Sequence, residues 1–336
     1  MWIFLYDMTS KSRSPPSLRA LKYPLPLRSI LPTLHLSQYL PLHFLLLSFS
    51  PSLYLQIKRE KRRKNHTPRN PSSTLDLHCP AMGIEIEVEE KKRSKTFGVL
   101  LCAEDSDYVK NTYGGYFGVF AALLAEEGEE WRLYRAVRGE LPRADEIDRF
   151  DGFVVTGSCS DAHGNDAWIV DLVDLLKDLV DKQKKVLGIC FGHQVLCRAL
   201  GGKTGRAKAW DLGITCIHPS PSTIRLLSSL NIPPHLPVIE CHRDEVWELP
   251  PQAEAMAQSD KTGIEMFRYG GHIMGIQGHP EYSKDILLNL VDRLLQRNLI
   301  QNFHAEAAKS SLNVKDPDRE SWKRLCKAFL KGTLPL

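Results

Sequence analysis

From residue 96 onward, short apolar runs alternate with longer stretches in which apolar residues recur every three or four positions. The short runs are typical of buried parallel strands, and the longer stretches are typical of amphipathic helices. The predicted strands are 96–102, 131–135, 153–156 and 185–189, and the predicted helices are 116–127, 168–182 and 191–200. This alternation predicts an α/β fold with a mostly parallel open sheet and helices on both faces.

Beyond residue 210 the pattern changes to strand-rich segments. We expect strands at 214–218, 236–242, 263–268 and 272–276, with the last two joined by the turn Gly270-Gly271. Such segments predict small antiparallel strand pairs beside the parallel sheet. The chain then closes with predicted helices at 283–296 and at about 319–331.

The first 80 residues are rich in Pro, Ser and Leu, and prolines interrupt every potential helix there. The most apolar stretch, 44–57, contains Pro51 and is shorter than the roughly 20 residues that span a bilayer, so no membrane span is expected. The expected organisation is a disordered or non-native extension at 1–93, an α/β domain at 94–300, and a C-terminal helical extension at 301–336 packed on that domain.

Charge also separates the N-terminal segment from the rest. Residues 1–80 carry a net charge of +9, whereas residues 81–336 carry −5 with the two signs interleaved, so no nucleic-acid surface is expected in the domain. The basic run 58–64 is open to interpretation as solvated charge or as a nuclear or lipid-surface signal, and the acid-poor N-terminus as an organelle transit peptide. We favour a third interpretation, that translation starts at Met82 and the protein is cytosolic.

Eight cysteines are widely spaced, form no CxxC pair and lie mostly in apolar runs. Free cysteine in such surroundings behaves as a small apolar residue, which indicates a reducing compartment rather than a disulfide framework. The histidines do not cluster with other ligands at zinc spacing, so no metal is expected, and no cofactor site is visible.

One cysteine has different surroundings. In Gly-Ile-Cys-Phe-Gly-His-Gln, Cys190 lies between a predicted strand and a predicted helix, with Gly188 and Gly192 two residues to either side. This arrangement is typical of a nucleophile elbow, in which a strained corner exposes the nucleophile and the helix N-terminus favours the thiolate. The alternative is a packed core thiol beside a tight turn.

A second motif follows 89 residues later, in Gly-Ile-Gln-Gly-His-Pro-Glu-Tyr-Ser. His279 and Glu281 have one residue between them, and side chains two apart in an extended segment point the same way. The Glu281 carboxylate can therefore hold one nitrogen of the His279 ring while the other faces a thiol. Taken alone, such a pair is usually two ordinary surface residues, but together with the cysteine elbow it predicts a Cys–His–Glu catalytic triad.

These two motifs, GxCxGxQ and GxQxHPE, together resemble the class I glutamine amidotransferases over about residues 96–300. The resemblance implies that the Cys190 sulfur attacks a γ-glutamyl amide to form a thioester, with His279 as general acid/base and Glu281 as its orienting carboxylate. It also implies that the N–H groups of Gly157 and Phe191 form the oxyanion hole, although Gly157 alone is equally typical of a plain strand-terminating turn.

The same resemblance suggests which residues bind the glutamyl group. Ser158 is within the family pattern after the glycine, and Gln194 lies on the elbow helix. His242 and Asp244 belong to a segment, Cys-His-Arg-Asp-Glu-Val, that is similar to the SHxDxV loop of the family. All four are candidates for substrate contact, and His242 and Asp244 are also open to interpretation as surface loop residues.

Further segments resemble the plant γ-glutamyl peptidases, which are stand-alone members of this family. These segments are the opening at 97–116, the loop at 151–169 and the C-terminal helical extension. The resemblance implies cleavage of the γ-glutamyl bond of glutathione conjugates, with a leaving-group pocket around Tyr113, Tyr116, residues 160–163 and Trp168. For Trp168 we favour packing in the core over contact with the substrate.

Other functions remain open at this point. A glutaminase subunit would supply ammonia to a separate synthase, as in GMP synthase, because the 53 residues after Ser283 are too few for a synthase domain. A non-catalytic scaffold would require a broken triad, which this sequence does not have. The expected ligand is a small γ-glutamyl molecule, either a glutathione conjugate or glutamine, and the sequence does not specify a protein partner.

Overall fold

A single sheet organises residues 93–334, which are the residues described in the computed structural model. Within this range the sheet has nine strands, in the order β2-β1-β3-β4-β9-β8-β7-β5-β6. The first five strands in this order pair in parallel, and the remaining pairs are antiparallel. The strands are β1 Thr96–Leu100, β2 Glu130–Tyr134, β3 Gly152–Val155, β4 Lys185–Ile189, β5 Lys203–Pro219, β6 Leu236–Glu248, β7 Ala253–Gln258, β8 Met266–Tyr269 and β9 Ile273–Ile276.

Helices cover both faces of the parallel half of the sheet. The α-helices are α1 Asp107–Tyr113, α2 Tyr116–Leu124, α3 Ala167–Asp181, α4 Phe191–Ala199, α5 Pro221–Ser229, α6 Lys284–Gln296, α7 Asn302–Val314 and α8 Arg319–Leu330. Side chains of β3 alternate between the faces: Val154 joins a core cluster with α2 and α8, while Phe153 and Val155 join one with α3 and α4. The predicted α/β fold with a mostly parallel sheet is therefore confirmed.

The C-terminal helix α8 contributes to the core as fully as the sheet does. Trp322, Leu325 and Phe329 are each completely buried. The indole nitrogen of Trp322 donates to the carbonyl oxygen of Pro237 at 3.2 Å, which ties α8 to the start of β6. A helix that the sequence pattern assigns to a C-terminal extension thus lies in the main core of the domain.

The elements missed by the pattern are short, polar or alanine-rich. They are α1, α5, α7 and β7, and β5 and β6 are far longer than the predicted segments. The expected strand 214–218 is the end of a 17-residue strand, and 236–242 is the start of a 13-residue one. The two strands, joined through α5, pair antiparallel, with irregularities between Lys203 and Thr204 and between Arg206 and Asp211.

No helix within residues 93–334 combines the length and the apolar character that a membrane span requires. The apolar stretch 44–57, the basic run 58–64 and the proposed start at Met82 lie outside the described residues.

The fold brings the ends of several strands together at one edge of the sheet. Because β1, β3, β4 and β9 run in parallel, the residues that follow them emerge on the same side. Those residues are Gly157 shortly after β3, Cys190 directly after β4, and His279 shortly after β9. This edge is therefore the place where the predicted catalytic residues can meet.

Candidate active site

Cys190 occupies a sharp corner between β4 and α4, with φ 54° and ψ −105°. This conformation is unusual for a residue with a side chain and costs about 1–3 kcal/mol, which the surrounding structure must supply. Both flanking glycines are needed here. A Cβ on Gly188 would lie 2.5 Å from the carbonyl oxygen of Gly192, and one on Gly192 would collide with the carbonyl of Val155.

The thiol of Cys190 is buried, with only 4% of the residue exposed, rather than open to solvent as the elbow pattern predicts. Burial raises the pKa of this thiol well above its usual value, and the neighbouring Cys241, Glu240 and Glu281 act in the same direction. The backbone N–H of Phe191 lowers the pKa, as the helix N-terminus argument predicts, but burial outweighs it. The resting thiol is therefore protonated and needs a base.

His279 and Glu281 lie in the loop that follows β9, and both are buried. Nδ1 of His279 donates to Oε1 of Glu281 at 2.8 Å. The N–H of His279 donates to the carbonyl of Ile239 on β6 at 2.7 Å, which anchors the loop. The segment forms a turn, in which the N–H of Tyr282 bonds the His279 carbonyl at 3.2 Å, rather than the extended segment from which we predict the pairing.

Gly157 marks the point where the distant segments meet. A Cβ built on Gly157 would lie 2.9 Å from Cε1 of His279 and 3.7 Å from Cβ of Cys190. The imidazole and the cysteine therefore both line the space next to this glycine. Since Nδ1 of His279 is bonded to Glu281, Nε2 is the ring nitrogen that remains for the thiol.

An aromatic ring that sequence reasoning does not single out covers the imidazole. Tyr282 stacks on His279 with 4.0 Å between ring centroids and 4° between ring planes. The ring of Tyr282 also lies near that of Tyr116, with 6.2 Å between the two centroids. The sequence does carry a signal for this contact. Tyr282 follows His279 at the third position, and this spacing brings two side chains together when the segment turns.

The oxyanion candidates lie beside the cysteine. Phe191 begins α4 directly after Cys190, and its ring stacks on that of Trp168 at 5.5 Å. Trp168 is half-buried and packs in the core cluster that includes α3 and α4. Ser158 uses its hydroxyl to accept the N–H of Ser160 at 3.1 Å, so it shapes the loop after β3.

Gln194, His242 and Asp244 are all buried, and the last two lie on β6 rather than in a surface loop. Nε2 of Gln194 donates to the Asp244 carbonyl at 2.7 Å and to Oε1 of Gln277 at 3.1 Å. Nδ1 of His242 donates to the same Asp244 carbonyl at 3.0 Å. Gln194 and His242 thus hold the backbone of β6 next to α4.

Asp244 also belongs to a charged cluster with Arg206, Asp161 and His163. Arg206 lies between two carboxylates, with Nε 3.1 Å from Asp244 and Nη2 3.1 Å from Asp161. Ligand atoms of Asp161, His163 and Asp244 all lie within 4.8 Å of one another, a spacing that would suit a cation. Burial raises the pKa of Asp244 and the Arg206 charge lowers it, so the guanidinium already supplies positive charge there.

A cleft of about 380 Å³ is lined by residues of α1, of the loop before it and of α6. Its charged lining combines acids and bases, and Asp105 in this lining accepts the N–H of Tyr116 at 2.7 Å. The hydroxyls of Tyr108 and Tyr113 both donate to Asp285 at 2.6 Å, which ties α1 to α6. The lining residues are Asp105, Ser106, Asp107, Tyr108, Asn289, Arg293 and Arg297.

Related sequences are informative once this geometry is known. The chain is 47% identical to γ-glutamyl peptidase 5 of Arabidopsis thaliana over 248 residues, which are 73% of this chain and 98% of that protein. It is 45% identical to γ-glutamyl peptidase 3 of the same plant over 251 residues, covering 74% of this chain and 100% of that protein.

Solved structures share the fold at low sequence identity. A glutamine amidotransferase from Thermotoga maritima superimposes with a TM-score of 0.53 at 19% identity, covering 71% of this chain and 99% of that one. One from Methylobacillus flagellatus gives a TM-score of 0.54 at 18% identity, covering 72% and 95%. Residues 120–287 match the family described as glutamine amidotransferase class-I, and the chain belongs to this family.

Proposed function

We propose that this chain is a cysteine hydrolase that cleaves γ-glutamyl amide bonds through a γ-glutamyl thioester, with glutathione or its conjugates as substrates. Relatives named γ-glutamyl peptidase are 41–47% identical over most of the chain. The observation that carries the proposal is the position of Gly157, next to which the His279 ring and the Cys190 side chain converge.

The buried thiol makes the base essential. Nε2 of His279 takes the proton of Cys190, and the sulfur attacks the carbonyl carbon of the γ-glutamyl amide. Glu281, bonded to Nδ1, fixes the tautomer and stabilises the imidazolium that forms. His279 then gives the proton to the leaving nitrogen, the C–N bond breaks, and the γ-glutamyl thioester remains. Water, deprotonated by the same imidazole, hydrolyses the thioester to glutamate.

The tetrahedral intermediate carries a negative oxygen beside Cys190. The N–H groups of Gly157 and Phe191 are the donors that we assign to this oxygen. Phe191 is held by the start of α4 and by its stack on Trp168, so its N–H is fixed before substrate binds. A preorganised donor of this kind typically contributes about 3 kcal/mol to lowering the barrier.

We assign recognition of the glutamyl group to the face formed by Ser158, Gln194, His242 and Asp244. Gln194 and His242 act there by holding the Asp244 backbone in place. The leaving group is assigned to the surroundings of Tyr116 and Trp168, of which Trp168 stacks on Phe191 directly after Cys190.

We also assign the protein to the cytosol. All seven cysteines within residues 93–334 are free, and four of them are buried in the domain. Free thiols of this number persist in a reducing compartment. The proposal predicts that the folded protein is fully active under reducing conditions.

The test compares the full chain with its Cys190→Ala variant on glutathione, an S-alkyl glutathione conjugate and glutamine, with glutamate release as the measurement. Removing the nucleophile should lower kcat by roughly 10³-fold or more. Cys216→Ala is the matched control, since Cys216 lies on β5 and is free. Its activity should equal that of the parent.

Two outcomes would contradict the proposal. If Cys190→Ala releases glutamate as fast as the parent, the thioester mechanism is wrong. If glutamine is cleaved more efficiently than both glutathione compounds, the chain is a glutaminase of the type that supplies ammonia to a synthase.

A further inference from the structure

The contact between Tyr282 and His279 differs in geometry from another tyrosine–histidine contact of the domain. Tyr282 lies face to face with the imidazole, 4.0 Å between centroids and 4° between planes. Tyr269 meets His272 edge-on, at 6.1 Å and 78°, in the hairpin between β8 and β9. Tyr282 is itself 93% buried, so the surrounding residues hold its ring in one position.

Three neighbours enclose the His279 ring. Glu281 bonds Nδ1 at 2.8 Å, Gly157 lies against the Cε1 edge, and the Tyr282 ring covers one face. The hydrogen bond to Glu281 alone would still allow the imidazole to tilt about the line that joins the two groups. The flat contact with Tyr282 prevents this tilt, so the plane of the ring, and with it the direction of Nε2, stays fixed.

Tyr282 is held in turn by Tyr116. The two rings lie 6.2 Å apart, and the hydroxyl of Tyr282 interacts with that of Tyr116. Burial raises the pKa of both phenols, that of Tyr116 to about 12, so Tyr282 stays neutral at physiological pH. A neutral aromatic ring presents a negative π face, which attracts a cation stacked on it.

The surroundings of Cys190 make such stabilisation useful. Proton transfer from the thiol creates an imidazolium in a site from which water is largely excluded. The titratable groups near the ring are Glu281 at Nδ1, Cys190 across the space beside Gly157, the two tyrosines, and Glu240 of β6, which packs against the backbone of Gly278. Glu240 is buried, and burial raises its pKa, so Glu281 and the Tyr282 ring are the partners left for the imidazolium.

We propose that Tyr282 is a positioning residue of the γ-glutamyl hydrolase: its ring, backed by Tyr116, fixes the plane of the His279 imidazole and stabilises the protonated ring during catalysis. This inference rests on the proposed function. It assigns a role to the residue directly after the His-Pro-Glu motif and explains why the ring of Tyr282 turns inward.

The experiment compares Tyr282→Leu, which removes the π face, with Tyr282→Phe, which keeps it. Tyr269→Leu is the matched control, because it breaks a tyrosine–histidine contact away from the site. The measurements are kcat and KM for a glutathione substrate, the rate of Cys190 alkylation by iodoacetamide at pH 7, and the melting temperature of each full-length variant.

We expect Tyr282→Leu to lower kcat about tenfold, the loss that a cation–π contact of this kind predicts, with KM changed less than about twofold. Alkylation of Cys190 should slow in parallel, because the sulfur then loses its proton less readily. Tyr282→Phe should restore both rates to within about threefold of the parent, and Tyr269→Leu should leave kcat unchanged.

The inference is overturned if folded Tyr282→Leu keeps the kcat and the alkylation rate of the parent, or if Tyr282→Phe is as slow as Tyr282→Leu. Should the leucine variant not fold, Tyr282→Met, flexible and without a π face, replaces it with the same expectations. Failure of the proposed function would look different. In that case Cys190→Ala would remain active, whereas an inactive Cys190→Ala beside a fully active Tyr282→Leu rejects only the role of Tyr282.

Discussion

The proposed approach of His279 to Cys190 depends on position 157 being a glycine, which has no side chain. The space where its Cβ would stand is bordered by Cε1 of His279 and Cβ of Cys190. Gly157 lies two residues after the end of β3, and its N–H is the donor that we assign to the oxyanion. A methyl group here would push the imidazole away from the sulfur, so glycine serves both the backbone donor and the ring beside it.

The substitution Gly157→Ala tests this dependence. Its Cβ would lie 2.9 Å from the imidazole, and a displacement of about 1 Å at a reacting group typically lowers the rate about 10²-fold. We expect kcat to fall by about this factor while KM changes little. Gly263→Ala is the control, because nothing lies within 4 Å of that Cβ. Steady-state kinetics in which both variants equal the parent would contradict the packing described here.

At the scale of the elements, the parallel half of the domain was predictable and the antiparallel half was less so. Strands such as β3 and β4 are short apolar runs because both of their faces are covered. By contrast, β5 is a long strand with many polar, partly exposed residues, which breaks the apolar pattern. The start of helix α5 could have been predicted from Ser220 as N-cap followed by Pro221, a signal that the apolar periodicity does not contain.

In the active site, too, some features could be predicted from the sequence and others could not. Cys190, His279 and Glu281 lie in motifs that a sequence displays directly, so their roles could be proposed before the structure was known. The burial of Cys190 and the stacking of Tyr282 depend on several segments packing together, and no single segment encodes them. The position of Asp244 on a strand likewise results from the length of β6, which the apolar pattern predicts only in part.

The antiparallel half also buries carboxyl groups, and this gives a prediction about pH. Glu265, just before β8, is 1% exposed, and burial raises its pKa well above the usual value, assisted by the nearby Glu240. In the unfolded chain this carboxyl ionises near its ordinary pKa, so the free energy of the unfolded state falls relative to that of the folded state as pH rises above about 4.5. The domain should therefore lose stability between that pH and the raised pKa.

Glu265→Gln removes this loss, so we expect a higher melting temperature at pH 8 and a weaker dependence on pH than in the parent. Glu254→Gln is a control of opposite sign. A hydrogen bond from Arg268 lowers the pKa of Glu254, so this carboxylate contributes a small stability above its usual pKa. Thermal melts of both variants from pH 5 to pH 8 provide the comparison. A parent curve that rises across this range, unaltered by Glu265→Gln, would be the contrary result.

At the scale of the whole molecule, the last helix connects stability to the active site. Helix α8 packs on the face of the sheet opposite α3 and α4, and Nη2 of Arg319 at its start donates to the carbonyl of Glu281 at 3.3 Å. The same helix therefore fills the core and contacts the loop that carries His279 and Glu281. This makes α8 an integral layer of the domain, although it comes last in the chain.

Trp322 is the residue on which this layer depends most. It is fully buried, its indole N–H bonds the Pro237 carbonyl, and its replacement by alanine leaves both a cavity and an unpaired acceptor. Large-to-small changes of this kind cost about 3–5 kcal/mol, so Trp322→Ala should lower the melting temperature by roughly 10 °C or more. Phe303→Ala on α7, where the ring is 59% exposed, should change it by about 2 °C at most. Equal melting temperatures for the two variants would mean that the packing of α8 contributes little to the stability of the domain. Its contact with the Glu281 loop could then not hold that loop in place.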